Sequence, residues 1–259
     1  SGDHKTAYAG ALREVKLTDE IDEQFTLTPG GRYYFDLSAM NIPGTVNSTL
    51  DGGTQTDGTL HYVPFTYVGT VDAYSLDSAA DNDTTSYEHS LFIANYNVTH
   101  TVSWDDLNTA GLIFGKDYVA GGVDYTLRAP SCGSGFTGSG DSECGTPQSN
   151  EWDAVLDKNS GYIQNWNILY SWGQDTSYYQ SETVAVCGNS SARYRNVITA
   201  TSSYSILGFR PVLEVLNPGT LGSYGLKVVT LALGGGKLGG SSDAIHIIVK
   251  NGSTFTAPM

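Results

Sequence analysis

Two stretches of the chain decide its fold: NWNILYSWGQD at residues 165–175 and GFRPVLEV at residues 208–215. Their large aromatic side chains, Trp166, Trp172 and Phe209, need a core to pack into. The residues between the two stretches mix aromatic, amide, charged and aliphatic types without a helical or strand period. We therefore expect the segment between the two stretches to be irregular.

Elsewhere in the chain, short β-rich runs alternate with long polar loops. The run HYVPFTYVGTVDAYSL is rich in β-branched and aromatic residues, and a Pro29-Gly30-Gly31 turn predicts a hairpin in FTLTPGGRYYFDLS. Ser103 before WDDLNTAG is typical of a helix N-cap, and EWDAVLDKN after Asn150 predicts a second short helix. Short helices among antiparallel strands and long loops predict an α+β fold.

The composition changes at both ends of the chain. Residues 1–28 carry the densest charge, fit either a helix or an edge strand, and are predicted to form an N-terminal extension. Residues 29–217 would form a ligand-binding domain. Residues 218–259 contain a strand, a Gly-rich turn and a second strand, which predict a β-hairpin tail. The opening Ser1-Gly2 and the end at Met259 are typical of a piece excised from a longer protein.

Charge and composition exclude several classes of partner. The formal net charge is -14, and no cluster of Lys and Arg could grip a phosphate backbone, so nucleic acid is not an expected partner. No apolar run of about 18 residues occurs, so membrane insertion is not expected. The 31 glycines and 17 tyrosines, together with many Ser and Asn, resemble the adhesive surfaces of secreted binders, although a merely soluble acidic domain remains an alternative.

The cysteines suggest one crosslink. Cys132 and Cys144 bracket SCGSGFTGSGDSEC, a flexible Gly/Ser stretch that closes easily, and a loop of that size would gain about 3 kcal/mol from a disulfide. We predict a disulfide between them, with two free thiols as the alternative. Cys187 would then be a free or intermolecular thiol.

The order of landmarks between Tyr125 and Leu216 resembles a known family. The landmarks are Leu127-Arg128-Ala129-Pro130, Glu151-Trp152, NWNILYSWGQD, CGNSSARYR, and Gly208-Phe209-Arg210 followed by PVLEV. Together they resemble the formylglycine-generating-enzyme branch of the C-type-lectin-like fold, which includes the variable target proteins of diversity-generating retroelements in surface proteins of gut Firmicutes. The tail from Lys227 is similar to part of a Listeria-Bacteroides-type β-grasp repeat.

The resemblance implies a C-type-lectin-like fold whose buried anchors are Trp166, Trp172, Gly188, Gly208, Phe209 and Arg210. The residues between these anchors would form a diversified binding face. Tyr and Trp supply rigid contact area in such a face, and Asn and Ser supply adaptable hydrogen bonds. Alternatively, the segment packs its own Tyr and Ile inward. The expected ligand-binding residues are Asn167, Leu169, Tyr178, Tyr179, Gln180, Glu182, Cys187, Asn189, Tyr194, Arg195, Asn196, Ile198, Ser205 and Ile206.

The sequence carries no motif for catalysis. Only Cys187 lies in the late segment where the family's enzymes hold a copper-binding cysteine pair, so their oxidase activity is not implied. The calcium-binding tripeptides of sugar-binding lectins are missing, and the histidines lack metal-ligand spacing. No G-x-S-x-G elbow, P-loop or H-E-x-x-H occurs. We therefore expect no enzyme activity, no metal and no cofactor.

Two classes of function remain. The favoured one is a monomeric, extracellular binding domain on a bacterial cell surface or a phage particle, whose ligand is a protein or glycan on another cell, virus or host surface. The alternative is a structural stalk or pilus-like domain without a specific ligand. The exposure of the segment from 165 to 207 distinguishes the two.

Overall fold

The structure is a computed structural model of the chain. It describes residues 14–23, 27, 29–47, 49–50, 53–54, 59–71, 89–133, 150–177, 180–216, 225–238 and 241–255.

The first large sheet contains six antiparallel strands. In spatial order they are β2 (Arg32–Phe35), β6 (Val63–Val71), β7 (His89–Ala94), β15 (Val212–Leu216), β10 (Val123–Arg128) and β9 (Lys116–Ala120). The central strands β6 and β7 bury almost every side chain because both faces of the sheet are covered. The sheet is curled: the hydroxyl of Tyr118 on edge strand β9 donates to the carbonyl of Asp36, next to the opposite edge strand (3.0 Å).

The second large sheet also has six strands and carries the irregular segment. In spatial order they are β13 (Arg195–Thr199), β12 (Thr183–Gly188), β11 (Tyr170–Thr176), β14 (Leu207–Phe209), β8 (Thr99–His100) and β3 (Thr45–Val46). All neighbours are antiparallel except β11 and β14, which run parallel with Tyr170 opposite Leu207. Residues 165–175 and 208–215, which contain most of β11 and of β14, are therefore hydrogen-bonded neighbours.

A smaller sheet joins the two ends of the described chain. Strand β1 (Glu14–Glu23) pairs with β16 (Gly225–Ala232), which pairs with β17 (Ile245–Lys250), all antiparallel. The predicted C-terminal hairpin is therefore present, and β1 adds a third strand to it. Two further short strands, β4 (Thr49–Leu50) and β5 (Gly53–Thr54), form a separate ladder.

The main core is shared by the two large sheets. Phe65, Phe92 and Leu213 from the first sheet belong to the same buried cluster as Trp172 and Phe209 from the second. Trp152 packs in a second cluster with Leu91 and Ile93 of the first sheet and Cys187 of the second. The central strands therefore bury side chains on both of their faces, which removes large apolar areas from water.

Two short α-helices complete the described fold, together with two 3-10 turns, Ser38–Met40 and Ser160–Tyr162. Helix α1 (Trp104–Thr109) begins in a capping box in which Ser103 accepts from the Asp106 amide and the Asp106 side chain accepts in return from the Ser103 amide. Helix α2 (Glu151–Lys158) is capped by Asn150, whose side chain accepts from the amide of Asp153. Both helices were predicted from these caps.

The prediction of an α+β fold class is wrong. The described residues form 17 strands but only two α-helices, of six and eight residues, so the fold is closer to all-β. Both predicted helices are present. They do not make the fold α+β, because they only cover sheet faces and do not form a layer of their own.

The anchors differ in how deeply they are buried. Trp172, Phe209 and Arg210 are fully buried, whereas Trp166 is half-buried and packs against the second cluster. Gly208 has no room for a side chain, because a Cβ there would lie 2.8 Å from the carbonyl oxygen of Thr99. The frame around the irregular segment is thus set by close packing.

We expect Phe209→Ala to lower the free energy of unfolding by about 3 to 5 kcal/mol, because the ring is fully buried. The matched control is Tyr204→Ala, which truncates a ring that is 63% exposed. This variant should change the free energy of unfolding by no more than about 0.5 kcal/mol. Urea unfolding followed by intrinsic fluorescence measures both. Equal losses in the two variants would contradict this assignment of the core.

Candidate ligand-binding site

A buried ion cluster supports the region that carries the candidate site. Arg128, at the end of β10, donates to Glu151 at the start of α2 (2.8 Å) and to Glu214 on β15. His89 on β7 lies 2.7 Å from the other oxygen of Glu151. All four side chains are buried. Buried charges are tolerated only where they are paired in this way, so the cluster fixes α2 against the first sheet.

The pKa values in this cluster follow from its pairing. Burial by itself would raise the pKa of Glu151, but Arg128 and His89 outweigh burial and hold that pKa far below its usual range. Burial would lower the pKa of His89, yet the hydrogen bond and charge of Glu151 outweigh it and raise that pKa. A protonated His89 makes the four charges sum to zero.

A second group of buried side chains links α2 to the second sheet. Trp152 lies below the guanidinium groups of Arg195 and Arg210, at 5.8 and 5.9 Å from its ring, within the range of cation–π attraction. Arg195 also pairs with Asp153 (3.0 Å). Arg210 donates to the carbonyls of Ala94 (2.8 Å) and Asn165 (3.0 Å), and burial lowers its pKa to about 9. Arg210 therefore ties the start of the irregular segment to the first sheet.

The disulfide in the structure joins Cys132 and Cys187, and not Cys132 and Cys144 as predicted. Their Cα atoms are 6.7 Å apart, and both residues are buried. Gly173 makes the space for the pair, since a Cβ there would lie 2.9 Å from the sulfur of Cys132. Cys144 lies outside the described residues. The error arose because easy closure of a short flexible loop says nothing about which cysteines the sheets bring together.

Asp175 holds the backbone that leads into this crosslink. Its carboxylate accepts from the amide of Gly133 (2.9 Å), from the amide of Cys132 and from the hydroxyl of Ser131. These donors favour the charged form, but burial outweighs them and raises the pKa of Asp175. The segment after β10 is therefore tied to β11 on both sides of the disulfide.

Three loops meet at the end of the second sheet where β11 begins. The amide of Ile168 donates to the Asn189 carbonyl (3.2 Å), and the Asn189 side chain donates to the Ile168 carbonyl (2.6 Å). The amide of Tyr170 donates to the carbonyl of Ile206 (2.8 Å). The ring of Tyr170 lies 6.1 Å from that of Tyr194, and its hydroxyl hydrogen-bonds with Asn196. These contacts bring residues 167–169, Asn189, Tyr194, Asn196 and residues 204–206 together. Arg193 and Arg195 instead pair with Asp153 of α2.

We call the group that these contacts bring together the display surface. Its members are Asn167, Ile168, Leu169, Asn189, Tyr194, Asn196, Tyr204, Ser205 and Ile206. Five large apolar side chains are strongly exposed in the described part of the chain, and three of them are here: Ile168 (71%), Tyr204 (63%) and Ile206 (42%). None of the nine carries a charge, although the chain as a whole is strongly acidic.

Ile168 adopts a backbone conformation that isoleucine normally avoids. Its φ is 78°, in the left-handed region, where a β-branched residue is a genuine outlier. The two hydrogen bonds with Asn189 hold it there. The chain therefore keeps a strained residue whose side chain points mostly into solvent, an arrangement associated with functional sites.

Seven of the predicted binding residues belong to the display surface: Asn167, Leu169, Asn189, Tyr194, Asn196, Ser205 and Ile206. Gln180 and Glu182 do not. Both are exposed, but they lie in the turn between β11 and β12, at the opposite end of β12 from Gly188. Six residues of extended strand separate the two ends by about 17 Å. Tyr178 and Tyr179 lie outside the described residues.

Two predicted contact residues are structural instead. Cys187 is buried in the disulfide, and Arg195 is 1% exposed between Trp152 and Asp153. Both are on the face of the sheet that packs on α2, opposite to Asn196, because neighbours along a strand point to opposite faces. Ile198 is half-buried and packs against the main core.

Two residues of the display surface, Ile168 and Tyr204, are not among the predicted binding residues. Both lie within the irregular segment. Tyr204 follows two serines and precedes a third, so an apolar ring in a turn-forming context was the signal that could have identified it. No comparable signal marks Ile168, because nothing in the sequence shows that its backbone is left-handed.

The described residues contain no group of three or more His, Cys, Asp or Glu side chains that could hold a metal ion. Within the same part of the chain, no helix has both the length and the apolar character to cross a membrane.

Comparison of the chain with family models, with curated proteins and with solved structures yields no match. The resemblance to the targets of diversity-generating retroelements therefore stays a prediction from the sequence landmarks.

The disulfide pairing predicts which cysteine reacts. Alkylation without reductant should label one of the three cysteines, and peptide mapping should place the label on Cys144. A crosslink spanning a separation of 55 residues restricts the unfolded chain, so Cys132→Ala with Cys187→Ala should cost about 4 kcal/mol of stability. A label on Cys132 or Cys187 in the oxidised protein would contradict the pairing.

The raised pKa of His89 predicts a pH-dependent stability. A raised folded pKa contributes stability below the unfolded value of about 6.5, and this contribution is lost as the pH rises through the folded pKa. The free energy of unfolding should therefore fall from about pH 6.5 upward. His89→Gln keeps a hydrogen-bond donor but cannot be charged, so it should flatten that slope. Urea unfolding at a series of pH values tests this, and an unchanged slope in the variant would refute it.

Proposed function

We propose that this chain is a non-catalytic binding domain, displayed outside a bacterial cell or on a phage particle, that holds a protein or glycan ligand on its display surface. The observation that carries the proposal is the convergence of Ile168, Tyr204 and Ile206 on one uncharged surface. Exposed apolar side chains that cluster are typical of interaction sites, whereas scattered ones need no explanation.

The composition of the display surface supports contact with a ligand. Tyr194 and Tyr204 provide rigid rings with a polar end, and Asn167, Asn189 and Asn196 provide both donors and acceptors. Binding loops of other recognition proteins use the same residue types for the same reasons. Charged side chains, which are depleted at the centres of interfaces, are absent from this set.

The support beneath the surface favours a preformed site. Arg210 holds the carbonyl of Asn165, the disulfide holds β12, and Trp172 and Phe209 fill the core below. A surface held in place loses little conformational freedom when it binds, so more of the contact energy becomes affinity. The positions of the display surface would be the diversified ones if the retroelement resemblance holds.

The buried ionisable groups support a non-catalytic role. Glu151 is enclosed between Arg128 and His89, and Asp175 is occupied by backbone amides and a hydroxyl. Both side chains hold segments of the fold together. Extracellular display is supported by the disulfide, since disulfides persist in oxidising compartments.

The substitution Ile168→Asn should raise the stability of the domain and weaken its binding of a ligand. Asparagine accepts the left-handed conformation readily, so relief of strain should raise the free energy of unfolding by about 1 kcal/mol. The exposed apolar side chain is lost at the same time, which should weaken ligand binding. A stalk domain without a ligand would show only the gain in stability.

Binding is tested with the intact chain on an array of bacterial and host surface proteins and glycans. Combined Ile168→Asn, Tyr204→Ala and Ile206→Ser should weaken any captured interaction by at least about thirtyfold, as loss of a hot spot does. The matched control is Phe114→Ser, which removes an aromatic ring that is 52% exposed but lies outside the display surface. No interaction on the array, or equal losses in the control, would favour the stalk.

A further inference from the structure

A cleft of about 560 Å³ opens where the two edges of the first sheet approach each other. Strands β2 and β9 are at opposite ends of the strand order, yet residues of both line the cleft because the sheet is curled. Ile247 on β17 and Phe255 beyond it form a third wall. The volume is in the usual range of small-ligand sites, and the mouths of barrel-like sheets commonly hold such sites.

The lining of the cleft combines aromatic rings with hydrogen-bonding groups. The aromatic lining residues are Tyr34, Phe35, Tyr62, Tyr118 and Phe255. Tyr62 and Phe255 are half-buried, and the other three are buried. The polar lining includes the carboxylates of Asp36 and Asp117 and the hydroxyls of Ser38 and Thr254. Carboxylates accept hydrogen bonds from hydroxyl groups, and aromatic faces contact apolar C–H surfaces.

The charged side chains at the cleft include two carboxylates and one ammonium. Asp36, 2.9 Å from the ring nitrogen of His61, and Asp117 both line the cleft. The ammonium of Lys116 donates to the carbonyl of Met40 (3.0 Å), and Met40 also lines the cleft. The surplus of carboxylates disfavours an anionic ligand, whereas an uncharged ligand rich in hydroxyl groups matches both the acceptors and the rings.

Several contacts prepare the cleft for a ligand. Asp36 accepts from the amide of Ser38 (3.0 Å), and although burial would raise its pKa, Ser38 and His61 lower it, so the carboxylate stays ionised. The amide of Lys250 donates to the carbonyl of Gly121 (2.7 Å), which fixes β17 against the end of β9. Tyr62 has a φ of 53°, an unfavourable value for an aromatic residue that the surrounding fold maintains.

We propose that this cleft is a second binding site and that it takes an uncharged saccharide. It shares no lining residue with the display surface, so it goes beyond the function proposed above and can fail or succeed independently of it. The half-buried rings of Tyr62 and Phe255 would contact the C–H faces of one or two sugar units, and Asp36 and Asp117 would accept from their hydroxyl groups.

The intact chain is first applied to a printed array of uncharged oligosaccharides ending in glucose, galactose, mannose or N-acetylhexosamines. The affinity of the best-bound oligosaccharide is then measured by titration calorimetry. Val119→Trp should block the cleft without disturbing the core, since Val119 lines it and is 63% exposed. Asp117→Ala removes an acceptor. Each variant should weaken binding by at least about tenfold.

The matched control is Asp124→Ala on β10, which removes an exposed carboxylate that does not line the cleft and should change the affinity less than about twofold. Ile168→Asn should likewise leave saccharide binding intact, which separates this site from the display surface. The proposal is overturned if no uncharged saccharide binds, if Val119→Trp binds like the wild type, or if only the Ile168 variant loses binding.

Discussion

The fold depends on one buried pairing, that of Arg128 with Glu151 and Glu214. It joins β10, β15 and the first residue of α2, and it places His89 on β7 against the same carboxylate. Removing one partner from such a cluster leaves an uncompensated buried charge, which costs several kcal/mol. Because Trp152 follows Glu151 directly, the ion cluster also sets the depth of that ring below Arg195 and Arg210. The position of the second sheet, and with it the display surface, follows from this arrangement.

Local features of the fold could be predicted from the sequence. The Ser103 cap, the two short helices, the C-terminal hairpin and the burial of Trp172 and Phe209 follow from residue types and short spacings. The burial of Arg210 was expected only from the family resemblance. The fold class could not be predicted, because it depends on how strands far apart in sequence pair. The parallel contact of β11 with β14 and the joining of β1 to β16 have no local signal. Long-range pairing also decided the disulfide partner of Cys132.

The candidate site shows the same division. Tyr194 and Asn196, two of the predicted contact residues, are half-buried, whereas Arg195 between them is buried. Tyr194 also packs against the main core, as Ile198 does. The period of two along a strand explains the burial of Arg195, but it is visible only once β13 is known to be a strand whose second face packs on α2. Which side chains of the segment from 165 to 207 reach solvent therefore depends on the sheet and not on composition.

The joined terminal strands determine how the domain responds to mechanical tension. Strand β1 enters the small sheet beside Ala232, whereas β17 leaves it at Lys250, opposite Leu226 at the other end of β16. Tension applied along the chain at these two points pulls β1 and β17 in opposite directions, parallel to their lengths. The hydrogen bonds of both ladders are then loaded together in shear rather than opened one after another.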